Sequence, residues 1–190
     1  MSSSKGIHKR HTFGRDADGE WFPTRLEDSG TALAVKAGAF GFQLETTLSI
    51  NATAAAYAAG DLLGPLITLS GPCRAPGLGG VIQNVSVTDL AKQNASLDIV
   101  IFNQEPTSTT FTDNAALDIG DVDLLKIACV AHISDWSSFG DNSYGQDHNF
   151  NAQFKLSSTV NTIYACLVAR SAATYTTNAD LTLKLNISSD

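Results

Sequence analysis

The sequence is poor in charged side chains. Only 16% of its 190 residues are Asp, Glu, Lys or Arg, against about 25% in ordinary soluble domains. From Thr47 onward there are six bases against thirteen acids, and the net charge of the whole chain is −7. Because nucleic acid phosphates are contacted by clustered Lys and Arg, this acidic body argues against nucleic acid as the main ligand. A surface of hydroxyls and amides instead suits sheets and packed assemblies.

Cysteine is also scarce. Cys73, Cys129 and Cys166 form an odd set without CxxC spacing, which indicates neither a disulfide framework nor a zinc site. Cys129 and Cys166 lie in the apolar runs "KIACVAHI" and "TIYACLVAR", where a Cys behaves as a small hydrophobe. We therefore expect buried, inert thiols.

No long hydrophobic run is present. From Thr46 to Cys73 the only charge is Asp61, but a membrane-spanning helix needs about 20 predominantly apolar residues, and Gly60, Asp61 and the pair Gly64–Pro65 interrupt this stretch. No Gly-Lys-Ser/Thr follows, so a phosphate loop is not indicated either. The stretch predicts a turn at 59–61 and a bend at Gly64–Pro65 before a strand over Leu66–Ser70. No apolar segment follows the basic start of the chain, so we expect no cleaved secretory signal and no membrane partner.

Catalytic signatures are missing as well. The chain has no GxSxG or HExxH motif and only four His; His132 lies on the polar side of an alternating strand, and His148 lies in a polar segment. The spacing of Asp141, Ser143 and Asp147 is similar to a calcium loop, but Ala152 stands where such a loop needs a bidentate Glu. We predict a protein that is not an enzyme and that holds no cofactor and no metal.

Period-two alternation dominates after about residue 46. In "ADLTLKLNI" four aliphatic side chains alternate with polar ones, which predicts a half-buried strand. The same alternation runs over Ile127–Ile133 and Ile163–Ala169. Together with weaker segments, the pattern predicts about eight strands in an all-β, antiparallel, jelly-roll-like β-sandwich domain over 46–190. The weaker segments are Leu48–Asn51, Leu66–Ser70, Val81–Thr88, Leu97–Asn103 and Phe150–Leu156.

Two connections have distinct compositions. "SFGDNSYGQDHN" is polar and predicts a long loop. In "TSTTFTDNAALDIGD", Asp113 is placed to cap a short helical turn over Asn114–Asp118 that ends at Gly120.

Residues 1–45 differ from the rest and predict an extended N-terminal arm. The first fifteen residues contain four bases and no acid, including Lys9, Arg10 and Arg15. Trp21 and Phe22 add a compact apolar pair, and large aromatics on such an arm fill a pocket on their own domain or on a neighbour.

Four phrases of the chain carry a resemblance. "AYAAGDLLGPLITLSG", "GGVIQNVSVTD", "LDIVIFNQEPTSTTFTDNAALDI" and "ADLTLKLNI", within about residues 54–187, are similar to small virion structural proteins of tailed bacteriophages. Such proteins resemble capsid decoration or cement proteins, which are β-sandwiches, often trimeric, that tie neighbouring capsomers together. The resemblance implies a major capsid protein and further copies of this chain as partners. It also implies a protein made in the host cytoplasm and located on the capsid surface of the virion, and it carries over no catalytic residue.

Two functional hypotheses follow. In the first, a capsid decoration protein, Trp21 and Phe22 are anchors and Lys9, Arg10 and Arg15 contact an acidic capsid surface; Tyr57 is a further residue to test for contact with a neighbouring subunit. The alternative is a carbohydrate-binding or receptor-recognition module of a tail fibre. There Trp136, Phe139 and Tyr144 would form an aromatic platform for sugars, although ordinary packing also accounts for these three side chains.

Overall fold

The computed structural model describes residues 56–147, 150–175, 177 and 180–189, and it describes the backbone of three earlier strands over 12–15, 21–24 and 41–47. The chain divides into two compact units, residues 1–38 and residues 39–190. Each unit is described separately below.

The first unit contains an antiparallel pair of short strands, β1 (Thr12–Arg15) and β2 (Trp21–Thr24). The sequence predicted an extended arm without regular elements here, because neither strand shows a sustained period. The predicted boundary after residue 45 falls inside the next strand, β3 (Gly41–Thr47), which pairs with a strand of the second unit.

The second unit is built almost entirely of strands. They are β3, β4 (Leu62–Ser70), β5 (Gly79–Asp89), β6 (Leu97–Phe102), β7 (Ile127–Ile133), β8 (Trp136–Phe139), β9 (Asn142–Asp147), β10 (Ala152–Lys155), β11 (Thr162–Ala169) and β12 (Leu181–Ser189). One short helix, α1 (Asp121–Leu124), lies between β6 and β7. Within the described residues, no helix is long and apolar enough to cross a membrane.

The strands form two antiparallel sheets. The order is β3-β12-β5-β9-β8 in the larger sheet, in which β10 also pairs with β5, and β4-β11-β6-β7 in the smaller sheet. The pairs are nested along the chain: β3 with β12, β4 with β11, β5 with β9 and β10, and β6 with β7. Nested pairs that alternate between two sheets form a jelly roll, so the predicted fold class is confirmed.

The main core lies between the sheets. From the larger sheet β12 contributes Leu181, Leu183, Leu185 and Ile187, and from the smaller sheet β6 contributes Leu97, Ile99 and Ile101. The intervening residues of β12 are mostly more exposed, because successive side chains on a strand point to opposite faces.

The smaller sheet has a second apolar cluster on its outer face. Val100 and Phe102 of β6 lie there with Cys166 and Val168 of β11. The connection between β6 and β7, residues 103–126, covers this face with Phe111, Leu117 and Ile119. We call this connection the excursion. It adds a third layer to the sandwich.

Four local predictions need comment. The turn at 59–61 is confirmed, and Gly60 has a φ of +102°, which favours glycine. The predicted bend at Gly64–Pro65 is found as a bulge inside β4, because the pairing with β11 is irregular between Leu63 and Ile67 and Gly64 has a φ of +78°. The strand begins earlier than predicted, at Leu62. β4 is an edge strand, where the missing N–H of Pro65 is tolerated.

The predicted long polar loop is wrong too, because its residues form the β8–β9 hairpin around a turn at Gly140–Asp141. The predicted helical turn over Asn114–Asp118 is also wrong, and α1 begins only after Gly120. The Asp113 carboxylate binds groups far away in the sequence, the Tyr57 hydroxyl and the Gly64 N–H.

Candidate interaction surface

Asp113 fixes the excursion to the start of the sandwich. Its carboxylate accepts hydrogen bonds from the Tyr57 hydroxyl, at 3.0 and 3.2 Å, and from the Gly64 backbone N–H, at 2.7 Å. Tyr57 is only 1% exposed, and its ring lies 6.2 Å from that of Tyr175. The hypothesis that Tyr57 contacts a neighbouring subunit is therefore wrong, because this side chain is used inside the fold.

Asp123 fixes the other end of the excursion. Its side chain is inaccessible to solvent, and its carboxylate accepts hydrogen bonds from the backbone N–H of Thr107 at 3.0 Å and of Ser108 at 2.7 Å. The Lys126 ammonium adds an ion pair at 2.8 Å. Burial disfavours the charged form, but the bonds from Lys126, Thr109 and the two backbone groups outweigh it and lower the pKa of Asp123.

The helix that carries Asp123 presents its apolar side chains to solvent. Val122 is 60% exposed, Leu124 56% and Leu125 86%. We call these three residues the apolar turn. The buried Asp123 carboxylate holds this segment in one conformation. Its exposed apolar side chains therefore lose little entropy on binding. The apolar turn therefore has the character of an interaction hot spot.

The charges around the apolar turn are acidic. Asp118 and Asp121 are exposed and lie within a few residues of it in the sequence. The Lys126 ammonium is engaged by Asp123 and by the Glu105 carbonyl oxygen, at 2.7 Å. A complementary partner would offer an apolar pocket with a basic rim.

Sequence reasoning did not find this surface. The segment "DVDLL" carries three large apolar residues, which ordinarily predict a buried face. In the structure Asp123 takes the inward position and the apolar side chains point outward. The available signal was the alternation of acids and aliphatics directly after Gly120.

The predicted arm contacts all belong to the first unit. Lys9 and Arg10 lie outside the described residues. Arg15 ends β1 and is paired with Trp21 of β2, while Phe22 is paired with Gly14. Their role as contacts to a partner stays a prediction.

The three predicted platform aromatics lie on the β8–β9 hairpin. Trp136 is paired with Gly145, packs against the main core and donates from its indole Nε1 to the Ala95 carbonyl oxygen at 3.1 Å. Tyr144 is paired with Ser137, and so shares the opposite face with Phe139, which is 63% exposed. These aromatics do not share one face, so they do not form the single platform that the sequence suggested.

One ionic cluster lies on the smaller sheet. The Asp98 carboxylate contacts His132 Nδ1 at 2.7 Å and Arg170 Nε at 2.5 Å. The His132 ring is 67% exposed, and its backbone N–H binds the Asp147 carboxylate at 3.1 Å. These side chains satisfy one another on neighbouring strands, as expected for cross-strand charge pairs.

The supposed calcium loop and the thiols are the last of the predicted positions. In the supposed calcium loop, Ser143 is buried within β9, and His148 lies outside the described residues. Among the residues the structure describes, no group of three or more His, Cys, Asp and Glu is placed to hold a metal ion. Cys166 is buried and Cys129 is half-buried, and burial raises the pKa of each thiol to about 12.

Comparison with protein-family models, with curated proteins and with solved structures finds no match to this chain. The geometry of the excursion and the sequence resemblance are the observations from which a function is proposed.

Proposed function

We propose that this protein is a structural component of a tailed-bacteriophage particle, a capsid decoration protein that binds the outer lattice of the major capsid protein. The observation that carries the proposal is the apolar turn, with Leu125 86% exposed beside the buried Asp123. Such a turn is suited to insertion into a pocket on a protein partner. The resemblance of four phrases of the chain to virion structural proteins supports the same assignment.

The mechanism would be passive. A protein that binds only the assembled lattice stabilises that lattice by mass action. Several linked contacts per molecule raise the effective affinity without any new chemistry. The arm residues Lys9, Arg10, Arg15, Trp21 and Phe22 would supply a second contact, and trimerisation would multiply both.

Cosedimentation with empty capsid shells tests the proposal. We expect many copies of the wild-type protein per shell, read from a stained gel. A handful of copies would instead indicate a vertex, collar or tail component, and no cosedimentation at all would overturn the assignment to the particle.

Two variants locate the contact. Leu125→Ser should lower the copy number strongly, whereas Leu90→Ser, which alters a leucine 52% exposed elsewhere on the second unit, should leave it unchanged. Equal copy numbers for the two variants would show that the apolar turn is not the contact with the capsid. A chain that starts at Ala39 keeps β3 and tests the arm; full binding by it would show that the arm is not a contact.

A further inference from the structure

The excursion also forms a cavity, which is open to solvent and shares Asp118 with the acidic surroundings of the apolar turn. Its volume is about 360 Å³, and it lies between residues 108–112 and residues 115–120, next to Leu62. This volume is at the lower end of the range of about 300–1,000 Å³ that is typical of small-molecule sites. The cavity is therefore large enough for one sugar unit.

One wall of the cavity is lined by alternate residues. Ser108, Thr110 and Thr112 face the cavity. The residues between them serve the fold: the Thr109 hydroxyl accepts from the Gly120 N–H at 3.1 Å, and the Phe111 ring packs edge-on against Phe102 at 6.2 Å. The alternation separates structural side chains from hydroxyls that are available to a ligand.

The polar atoms of the cavity are unsatisfied by the protein. Within the described part of the chain, the side-chain oxygens of Ser108, Thr110, Thr112 and Asp118 make no hydrogen bond. Each hydroxyl can both donate and accept, while the Asp118 carboxylate accepts only. The set therefore offers three adaptable groups and one strong acceptor to a single ligand.

The other walls are apolar. Leu62, Leu117 and the two alanines Ala115 and Ala116 line them. A ligand that fits must carry several hydroxyl donors on one side and C–H groups on another. A negatively charged ligand is disfavoured by Asp118 and by the chain's net charge of −7.

We propose that this cavity binds one hexose unit of a neutral saccharide. The Asp118 carboxylate would accept hydrogen bonds from one or two sugar hydroxyls, and the hydroxyls of Ser108, Thr110 and Thr112 would make the others. The site does not depend on the proposed role on the capsid. It would let the protein hold a free sugar or the terminal unit of a surface glycan.

Saturation-transfer NMR on the full chain tests the site with glucose, galactose, mannose and N-acetylglucosamine as probes. We expect transfer to at least one of them, and about tenfold or greater weakening in the double variant Thr110→Val with Asp118→Asn. Thr174→Val, at an exposed threonine on another loop, should bind like the wild type. A glycan array run in parallel separates the sources: retention of a glycan that ends in the responding hexose indicates a surface glycan, and a response to the free sugar only indicates a small-molecule site.

Two results would overturn the proposal. One is the absence of transfer to all four sugars and of binding on the array. The other is undiminished binding by the double variant, which would place the sugar elsewhere. Both substitutions preserve side-chain shape at exposed positions, and an unchanged unfolding midpoint verifies that the variant is folded.

Discussion

The two sheets of the sandwich differ in how many of their faces are covered. All six residues of β6 in the smaller sheet are buried, whereas β12 in the larger sheet alternates between buried and more exposed residues. The difference follows from the excursion, which covers the outer face of the smaller sheet. A strand that is buried along its whole length in an antiparallel protein therefore indicates a second covering layer, and a strand of alternating burial indicates a single core.

The two layers also differ in what they leave available for binding. The main core is closed and uses its side chains for packing. The third layer is held by a few carboxylates, Asp113 and Asp123, and leaves both the apolar turn and the hydroxyl-lined cavity open to solvent. Loops that a rigid scaffold positions are the usual carriers of binding residues.

The largest expected effect comes from neighbouring residues of β6 that face the two layers. Ile101→Ala removes buried methyl groups from the main core and should cost about 2–5 kcal/mol, and Phe102→Ala should cost about 3–5 kcal/mol under the excursion. Denaturant unfolding followed by circular dichroism measures both. A loss below about 1 kcal/mol for Phe102→Ala would mean that the third layer does not fold together with the sandwich.

A smaller effect is expected at the β8 edge of the larger sheet, where the backbone of β9 is in close contact with neighbouring side chains. An added Cβ on Gly145 would lie 2.5 Å from Ile133 Cγ2 and 2.9 Å from Trp136 Cε3. Gly145→Ala should therefore destabilise the fold by about 1–3 kcal/mol through overpacking. Ser137→Ala on the exposed face of the same hairpin is the control and should stay within about 0.5 kcal/mol in the same unfolding experiment.

A pH dependence separates the third layer from the rest. The folded pKa of Asp123 is lowered, so its ionised form stabilises the fold fully above the ordinary Asp pKa of about 4. That contribution is lost as the pH falls through the lower, folded pKa. Asp123→Asn should be less stable than the wild type at pH 7, and the gap should narrow in acid.

Unfolding midpoints measured between pH 7 and pH 2 check this prediction. Asp121→Asn, at an exposed neighbouring position, is the matched control. A gap that stays constant with pH would show that the charge of Asp123 is not what holds the excursion.

The smallest expected effect is on thiol reactivity. Cys166 lies under the excursion, and Cys129 packs against the main core. Burial raises the pKa of both thiols to about 12, so both should react slowly with iodoacetamide at pH 8, because the thiolate is the reactive form. Phe111→Ala, which loosens the third layer, should speed the labelling of Cys166 alone, as read by mass spectrometry of peptides. Equal acceleration at Cys129 would indicate opening of the whole sandwich.

The sequence predicted the fold class because its clearest signal is local. The alternation in β7, β11 and β12 needs only neighbouring residues to be recognised. The β8–β9 hairpin was missed because its strands are rich in Ser, Gly and Asn, which do not predict strands. It forms because β9 pairs with β5 and because Trp136 is paired with Gly145. The position of α1 was missed for a similar reason, since Asp113 is engaged by Tyr57 and Gly64 across the fold.

The interaction surface was less predictable than the fold. Exposure of Leu125 depends on which side of α1 is turned toward Thr107 and Ser108, and this is decided by the buried Asp123. A pattern of acids and aliphatics contains no information on that choice. The cavity is likewise formed by two segments that only the folded excursion brings together.

The order of β3, β12 and β5 in the larger sheet has a consequence for folding during translation. β12 lies between the other two strands, and pairs Thr182 with both Thr47 and Thr88. A nascent chain that has emerged from the ribosome only as far as β11 would have β3 and β5 ready but no strand to join them. Contacts of such long sequence separation form slowly. The larger sheet can therefore be completed only after Leu181–Ser189 has left the ribosome, and until then the edges of β3 and β5 that β12 will cover are open to pairing between nascent chains.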